Sequence, residues 1–292
     1  MGETFKRIGV IGKYGDPGVA DTLKELIEFL DGRRLEVILD TSAAEQLPAG
    51  MAPAMDRHEL AEAVDLAIVV GGDGTLLHAA RSLADAGVPL LGINLGRLGF
   101  LADVLPAQIQ HQLGQVLDGQ FREEERSLLH ASVLRGEQSV SESDALNDVV
   151  VHKWDIARMI ELEVHIDGHL LNTQRSDGLI VSTPTGSTAY ALSGGGPLLH
   201  PTLNAIELVP ICPHSLNNRP FVIGDAARIE ILLRDGAYTQ AQMTCDGQVN
   251  FGLLPGDRIL IRRKARCLRL IHPPEYDYFG ILRAKFGWGV HS

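Results

Sequence analysis

The chain has 292 residues, 45% hydrophobic and 22% charged, enough for one large domain or two with a sizeable core. Its formal net charge of −11 argues against a broad nucleic-acid footprint. Any phosphate it binds must therefore be met locally, by backbone N–H groups, a few Arg side chains or a metal ion.

Cys212, Cys245 and Cys267 form no C-x-x-C pair and are odd in number, which speaks against disulfides and structural zinc. The opening MGETFKRIGVIGKYG has too short an apolar run for a signal peptide, and Lys6 breaks the myristoylation pattern begun by Met1-Gly2. No stretch approaches a membrane span. A soluble, cytoplasmic protein is expected.

RIGVIG reads as a buried strand, GVADTLKELIEFLDG as an amphipathic helix ending at Gly32, and LEVILD as a second strand. DRHELAEAV is helical, DLAIVV a strand, TLLHAARSLADAG a helix closed by Gly87, and VPLLGINLG a strand again. Strands alternating with helices predict a mostly parallel, Rossmann-like sheet covered on both faces, with ligands at the carboxyl ends of its strands. After a helix near 106–117 the chain turns to short, often alternating apolar runs, from FREEERSLLHASVLR to DRILIRR, with turns at Asp167-Gly168 and Asp246-Gly247. That pattern predicts a β-sandwich. The final FGILRAKFGWG reads as a helix returning to the first domain. The expected fold is thus α/β plus all-β: an α/β domain over 1–121 with 274–292 packed back on it, and a β-sandwich over 122–273.

Neither a Walker A loop nor a G-x-G-x-x-G fingerprint is present. GGDGT, at the end of DLAIVV, is a glycine-rich strand-to-helix turn whose N–H groups suit phosphate. Asp73 within it suits proton acceptance or Mg²⁺ binding, and Thr75 reads as the helix N-cap. INLGRLGFL is a second glycine-bearing turn after a strand. The densest signal is RSDGLIVSTPTGSTAYALSGGGPLLHP, where hydroxyls and bare backbone suit a polar, flat ligand. Its Ala191-Leu192-Ser193-Gly194-Gly195 misses the hydrolase elbow, because the serine follows a helix rather than a strand. His78, His152, His200 and His214 show no metal-binding spacing and read as surface, capping or core residues. Asn147-Asp148 reads as a turn pair or as a ribose-binding acid–amide pair, and CDGQ as a hairpin turn.

GGDGT, INLGRLGFL, LNDVVVHK, SDGLIVSTPTGSTAYALSGGGP, PHSLNNRP and CDGQ occur in the order and spacing of the bacterial-type, ATP/polyphosphate-dependent NAD kinase family, which the chain resembles over nearly its whole length. The resemblance implies transfer of the ATP γ-phosphoryl to the 2′-hydroxyl of the adenosine ribose of NAD⁺, giving NADP⁺. It also implies a divalent cation (Mg²⁺ or Mn²⁺), dinucleotide binding by the β-sandwich domain and a homo-oligomer, commonly a tetramer. By the same resemblance Asp73 is the base, with Gly74 and His78 nearby. Asn147 and Asp148 hold the ribose region, and Arg158, Arg175 and Asp177 fall at dinucleotide-contact positions. Thr188, Ala189, Tyr190, Ala191, Leu192 and Ser193 wrap the adenine side, and Gln248 approaches from the later hairpin. Two rivals are a lipid kinase of the diacylglycerol-kinase type, which shares GGDGT, and a non-catalytic NAD-binding sensor, which needs no Asp73.

Overall fold

The structure, a computed structural model, describes residues 5–13, 15, 17–96, 99–154, 158–234 and 240–289. Met1-Gly2 and the Arg97-Leu98 pair of INLGRLGFL lie outside the described residues. The chain divides into two compact units, 1–125 with 268–292, and 126–267.

The first unit opens with β1 (Arg7–Gly12), α1 (Pro17–Gly32), β2 (Glu36–Asp40), α2 (Thr41–Ala44), β3 (Ala54–Met55) and α3 (Arg57–Ala63). It continues through β4 (Leu66–Gly71), α4 (Asp73–Leu83), β5 (Leu90–Asn94), α5 (Gly114–Leu117) and β6 (Arg122–Arg126). Helix α1 buries Val19, Leu23, Leu26, Ile27 and Leu30, the spacing of one helical face, against the sheet. Burying each such side chain contributes roughly 1.5–3 kcal/mol. Every residue of β4 and β5 is buried, as a parallel sheet covered on both faces requires. Gly87 ends the turn after α4 in the left-handed conformation, φ 71°. The helix expected near 106–117 is a composite of one 3₁₀ turn, a π turn over Ile109–Leu113 and α5.

The second unit holds β7 (Leu129–Arg135), β8 (Gln138–Ala145), β9 (Asp148–Lys153), β10 (Ile160–Ile166), β11 (His169–Ser176), β12 (Gly178–Ser182) and α6 (Tyr190–Ser193). It ends with β13 (Ala205–Ile211), β14 (Phe221–Gly224), β15 (Ile229–Leu233), β16 (Ala241–Cys245), β17 (Val249–Leu253) and β18 (Arg258–Arg263). One sheet runs β11-β10-β15-β18-β7-β8 and the other β14-β13-β12-β9-β16-β17, with antiparallel pairing throughout the described ladders. Alternation puts Val164, Ile231 and Val133 of one sheet, and Val149, Val181 and Met243 of the other, in a shared core. At the Asp167-Gly168 hairpin both residues have positive φ (50° and 79°), the geometry of a tight two-residue turn.

The chain then returns to the first unit as β19 (Leu268–His272) and α7 (Tyr278–Phe286). The first sheet has the order β3-β2-β1-β4-β5-β19-β6, so β6 and β19 belong to it although both lie within 122–273. Ile281 and Leu282 of α7 are buried, and Phe286 packs on Phe100 at 6.3 Å between centroids. The sheet reverses direction of growth between β1 and β4. Carboxyl ends at such a switch form a crevice, and GGDGT lies there.

Candidate active site

In the first unit, α4 begins at Asp73 with Gly72 as N-cap and no side-chain cap. Thr75 is therefore not the N-cap that its type suggested. It sits two residues inside the helix, its N–H bonded to Gly72 O at 3.0 Å. The Asp73 carboxylate turns to the second glycine loop, accepting from the N–H groups of Phe100 (2.9 Å), Leu101 (3.1 Å) and Ala102 (3.2 Å). A carboxylate offers about four lone-pair sites, so one remains open. Gly99 is needed beside it, since a Cβ there would lie 2.1 Å from Oδ1. Helix α7 backs the same turn, with Lys285 Nζ 5.5 Å from the Phe100 ring centre.

A cavity of about 510 Å³ opens at the ends of β1 and β4, lined by Gly12, Lys13, Arg57, Gly72, Gly74 and His78 among others. Lys13 and Arg57 bring positive charge to the helix N-terminus, the setting an anion requires. Arg57 donates to the buried Asp40 carboxylate and, at 2.8 Å, bonds His78 Nδ1. A guanidinium can only donate, so Nδ1 is the unprotonated nitrogen of His78. Burial, then the charges of Arg57 and Arg81, hold the His78 pKa below the usual imidazole value.

In the second unit a cavity of about 430 Å³ lies on the outer face of the β14–β17 sheet. Register builds its floor. His152 faces Gln242 and Val150 faces Thr244 across β9 and β16, while Thr244 faces Asn250 on β17. Asn147, Asp148, Ala189, Tyr190 and Asp246 complete the wall. Asp246 accepts from the N–H groups of Leu146, Asn147 and Asp148 at 3.1, 2.7 and 3.3 Å, fixing where Asp148 begins its strand. Asp148 is 4% exposed, and burial followed by the charge of Asp246 pushes its carboxyl up to about 7. His152 Nδ1 lies 3.0 Å from Lys153 O, so Nδ1 carries the proton and Nε2 accepts from the Gln242 amide at 2.9 Å.

The sequence-predicted residues of this unit separate into groups. Asn147, Asp148, Ala189 and Tyr190 share the cavity, with the tyrosine 47% exposed. Thr188 bonds Thr185 O through its hydroxyl at 3.1 Å, Ala191 is core beside Val150, Ile180 and Val209, and Ser193 is exposed at the end of α6. Leu192 is half-buried in that helix. The hydroxyls of Ser182, Thr183 and Ser187 also go to backbone carbonyls. The Ser/Thr block therefore builds its own loop rather than offering these groups to a ligand. At Gly186 a Cβ would lie 2.2 Å from Asn147 O, which locks that loop over the 147–148 pair. Asp177 pairs with Lys153 at 2.7 Å, while Arg158, Arg175 and Gln248 are exposed and line no described cavity. Sequence reasoning missed Lys13 and Arg57 in the first unit, and His152, Gln242, Thr244, Asp246 and Asn250 in the second. The period-two alternation of AQMTC was the signal available for Gln242 and Thr244.

A parallel-sheet unit with a glycine turn at its switch point, followed by a β-sandwich with a polar cavity on one outer face, defines a two-unit nucleotide-handling fold. The sequence assigns it further. Residues 8–121 match the ATP-NAD kinase N-terminal domain and 146–272 the ATP-NAD kinase C-terminal domain, and the chain belongs to the ATP-NAD kinase family. It is 52% identical over 289 residues to the NAD kinase of Nitrosococcus oceani, covering 99% of both chains. It is 49% identical over 287 residues to that of Pseudomonas aeruginosa, covering 98% of this chain and 97% of the relative. An Archaeoglobus fulgidus NAD kinase solved with ATP superposes with TM-score 0.73 at 28% identity, covering 96% and 97% of the two chains. Yeast NADH kinase solved with NADH gives TM-score 0.89 at 24% identity over 98% and 89%, a likeness of fold.

Proposed function

We propose that the protein is an NAD kinase that transfers the γ-phosphoryl group of ATP to the 2′-hydroxyl of the adenosine ribose of NAD⁺, producing NADP⁺. The observation that carries this is the match of both halves of the chain to ATP-NAD kinase domains. The diacylglycerol-kinase alternative finds no support in these matches, and among the described residues no helix is long and apolar enough to cross a membrane. A non-catalytic sensor likewise has no comparison in its favour.

In this reading the triphosphate lies along the α4 N-terminus, with Lys13 and Arg57 neutralising it. Phosphoryl transfer needs in-line positioning and charge neutralisation more than covalent help. Asp73 acts catalytically by holding the 99–102 turn and keeping one lone pair for the reacting groups. Gly74 leaves the backbone bare beside the phosphates, and His78 keeps Arg57 in place. The dinucleotide lies on the floor of the second unit, with Asn147 and Asp148 at its ribose. Ala189 and Tyr190 form the adenine side, the tyrosine supplying an aromatic face, while Thr188, Ala191, Leu192 and Ser193 build the segment that carries them. That Arg158, Arg175, Asp177 and Gln248 contact the dinucleotide rests on the family resemblance alone.

Among the described residues no three His, Cys, Asp or Glu side chains group to cage a metal ion. The divalent cation, Mg²⁺ or Mn²⁺, rests on the family resemblance; Asp73 is the carboxylate that would orient it, and the cation would neutralise phosphate charge. The protein works in the cytoplasm as a homo-oligomer, a tetramer by family resemblance, and polyphosphate is a second candidate donor. EDTA titration tests the reading against the sensor. Turnover that stops while dinucleotide binding persists supports a metal-dependent kinase, and binding with no turnover under any metal supports a sensor.

A further inference from the structure

We infer that Asp103 and His272 are positioning residues for the transfer, fixing the turn that holds Asp73; the assignment rests on the kinase reading above. In that reading Asp73 keeps one lone pair for the reacting groups, so the placing of its three donors decides where that lone pair points. Those donors are the N–H groups of Phe100, Leu101 and Ala102. Asp103 is the next residue, and its Oδ2 accepts from His272 Nδ1 at 3.0 Å. Consecutive Cα atoms stand about 3.8 Å apart, so a shift of Asp103 passes directly to the Ala102 end of the turn. All of these residues belong to the first unit.

His272 makes a firm anchor. It ends β19, which pairs with β5, and its side chain is 1% exposed. Its ring stacks on Tyr276 with 3.8 Å between centroids and 12° between planes. Tyr276 O in turn accepts from Arg122, at the start of β6, at 3.2 Å. Glu124 Oε2 stands 3.8 Å from Nε2, too far for a hydrogen bond. Among the described residues one hydrogen bond, to Asp103, and one stack therefore orient the imidazole.

Asp103 depends on that bond just as closely. Its side chain is 7% exposed, its Oδ1 has no hydrogen-bond partner among the described residues, and His272 is its one donor there. Val104 bonds β5 through its backbone, its N–H to Gly92 O at 3.2 Å and its carbonyl to Asn94 N at 2.8 Å. Those bonds set the chain's height along the strand. The Asp103–His272 bond adds the sideways restraint on the peptide groups just before them. A buried polar pair contributes little net stability over apolar side chains of the same volume. What it supplies that an apolar contact lacks is direction.

The test is a double-mutant cycle between His272 and Asp73, read as kcat for NADP⁺ formation. His272→Leu removes the donor at similar volume and should lower kcat by about 10–10²-fold, the scale of a displacement of up to 1 Å. KM for ATP and for NAD⁺ should hold. His272→Asn, whose amide nitrogen stands as many bonds from Cα as Nδ1, should recover most of the loss. In an Asp73→Asn background His272→Leu should change kcat by no more than about twofold, because residues acting through one another are not additive. Asp103→Ala leaves no buried charge behind and gives the same result by a variant that stresses the fold less. Amide hydrogen exchange reads the turn without turnover: protection at Phe100, Leu101 and Ala102 should fall in both variants while that of β1 and β4 stays at the wild-type level.

Near-wild-type kcat in His272→Leu and Asp103→Ala, a loss of equal size with and without Asp73, no recovery in His272→Asn, or exchange that rises evenly across the sheet overturns the assignment and leaves the kinase reading intact. A wild type that forms no NADP⁺ removes the kinase reading itself, and this inference with it.

Discussion

The Asp73 carboxylate occupies the space in which a side chain on Gly99 would stand: a Cβ there would lie 2.1 Å from Oδ1 and 2.7 Å from Cγ. The two glycine turns of the first unit are thus one assembly, with the acid of the first seated on the bare backbone of the second. That answers to a physical need, because a negative charge on a glycine-rich stretch requires several N–H donors to hold it.

Substitution on either side should therefore damage the same function. Asp73→Asn keeps the shape but places an amide N–H₂ against backbone donors, and kcat should fall by about 10²–10⁴-fold. Gly99→Ala should displace the turn and lower kcat by about 10²-fold, the scale of a misplaced reacting group. Steady-state kinetics on variants with unchanged far-UV circular dichroism checks both. Near-wild-type kcat in Asp73→Asn would show that the acid is only a loop anchor.

Stability should depend on pH through Asp148. Its carboxyl titrates at about 7 in the fold against 3.8 as a model group, so the folded state favours the neutral acid. That contribution is complete below about pH 3.8 and is lost as pH rises to about 7, by roughly 4 kcal/mol for a shift of this size. Asp148→Asn cannot ionise. It should melt at a higher temperature than wild type at pH 8, with the difference shrinking toward pH 4. A difference that is the same at both ends of that range would contradict the buried, unpaired acid.

Much of this architecture was legible in the sequence, for identifiable reasons. Apolar runs such as DLAIVV and periodic faces such as that of α1 report their own burial, and Gly87 and Asp167-Gly168 mark stops and turns by backbone conformation. Asn147-Asp148 and Ala189-Tyr190 were visible as polar or aromatic groups beside apolar strands. Asp246 reads locally as one half of a turn, yet its carboxylate serves N–H groups about a hundred residues away. Arg57 reads as the first residue of a solvated helix, and only the proximity of β2 makes it the partner of Asp40. Glu207 lies in the apolar run AIELVPI, where nothing local tells that its face is sealed by Gly196 and the segment around it.

Recognition of the ribose by Asp148 predicts an effect on binding. A carboxylate can accept from both hydroxyls of a vicinal diol. Asp148→Ala should weaken NAD⁺ binding at pH 8 by roughly 1.5–3 kcal/mol, the range for hydrogen bonds to a charged group. NADP⁺ has one donor fewer and a dianion near the carboxylate, so its binding should change less and ATP binding much less again. Calorimetric titration of both proteins with each nucleotide measures this. An unchanged NAD⁺ dissociation constant would return Asn147-Asp148 to a strand-opening turn.

The Arg57–Asp40 pair gives a prediction for the first unit. The Asp40 side chain is 5% exposed, and removing Arg57 leaves it with Ser42 as its remaining side-chain donor among the described residues. Breaking a buried pair in this way costs about 3–5 kcal/mol. Arg57→Ala should lower the unfolding midpoint accordingly and raise KM for ATP while sparing KM for NAD⁺. A rise in KM for NAD⁺ alone would place the triphosphate elsewhere.

The most direct measurement is product formation. Purified protein is incubated with NAD⁺, ATP and Mg²⁺, and the dinucleotide is then presented to a dehydrogenase that accepts only the 2′-phosphorylated form. The account predicts NADP⁺ accumulating in step with ADP, and none when EDTA is added first. NAD⁺ that binds but yields no NADP⁺, with ATP or polyphosphate and with Mg²⁺ or Mn²⁺, would contradict it.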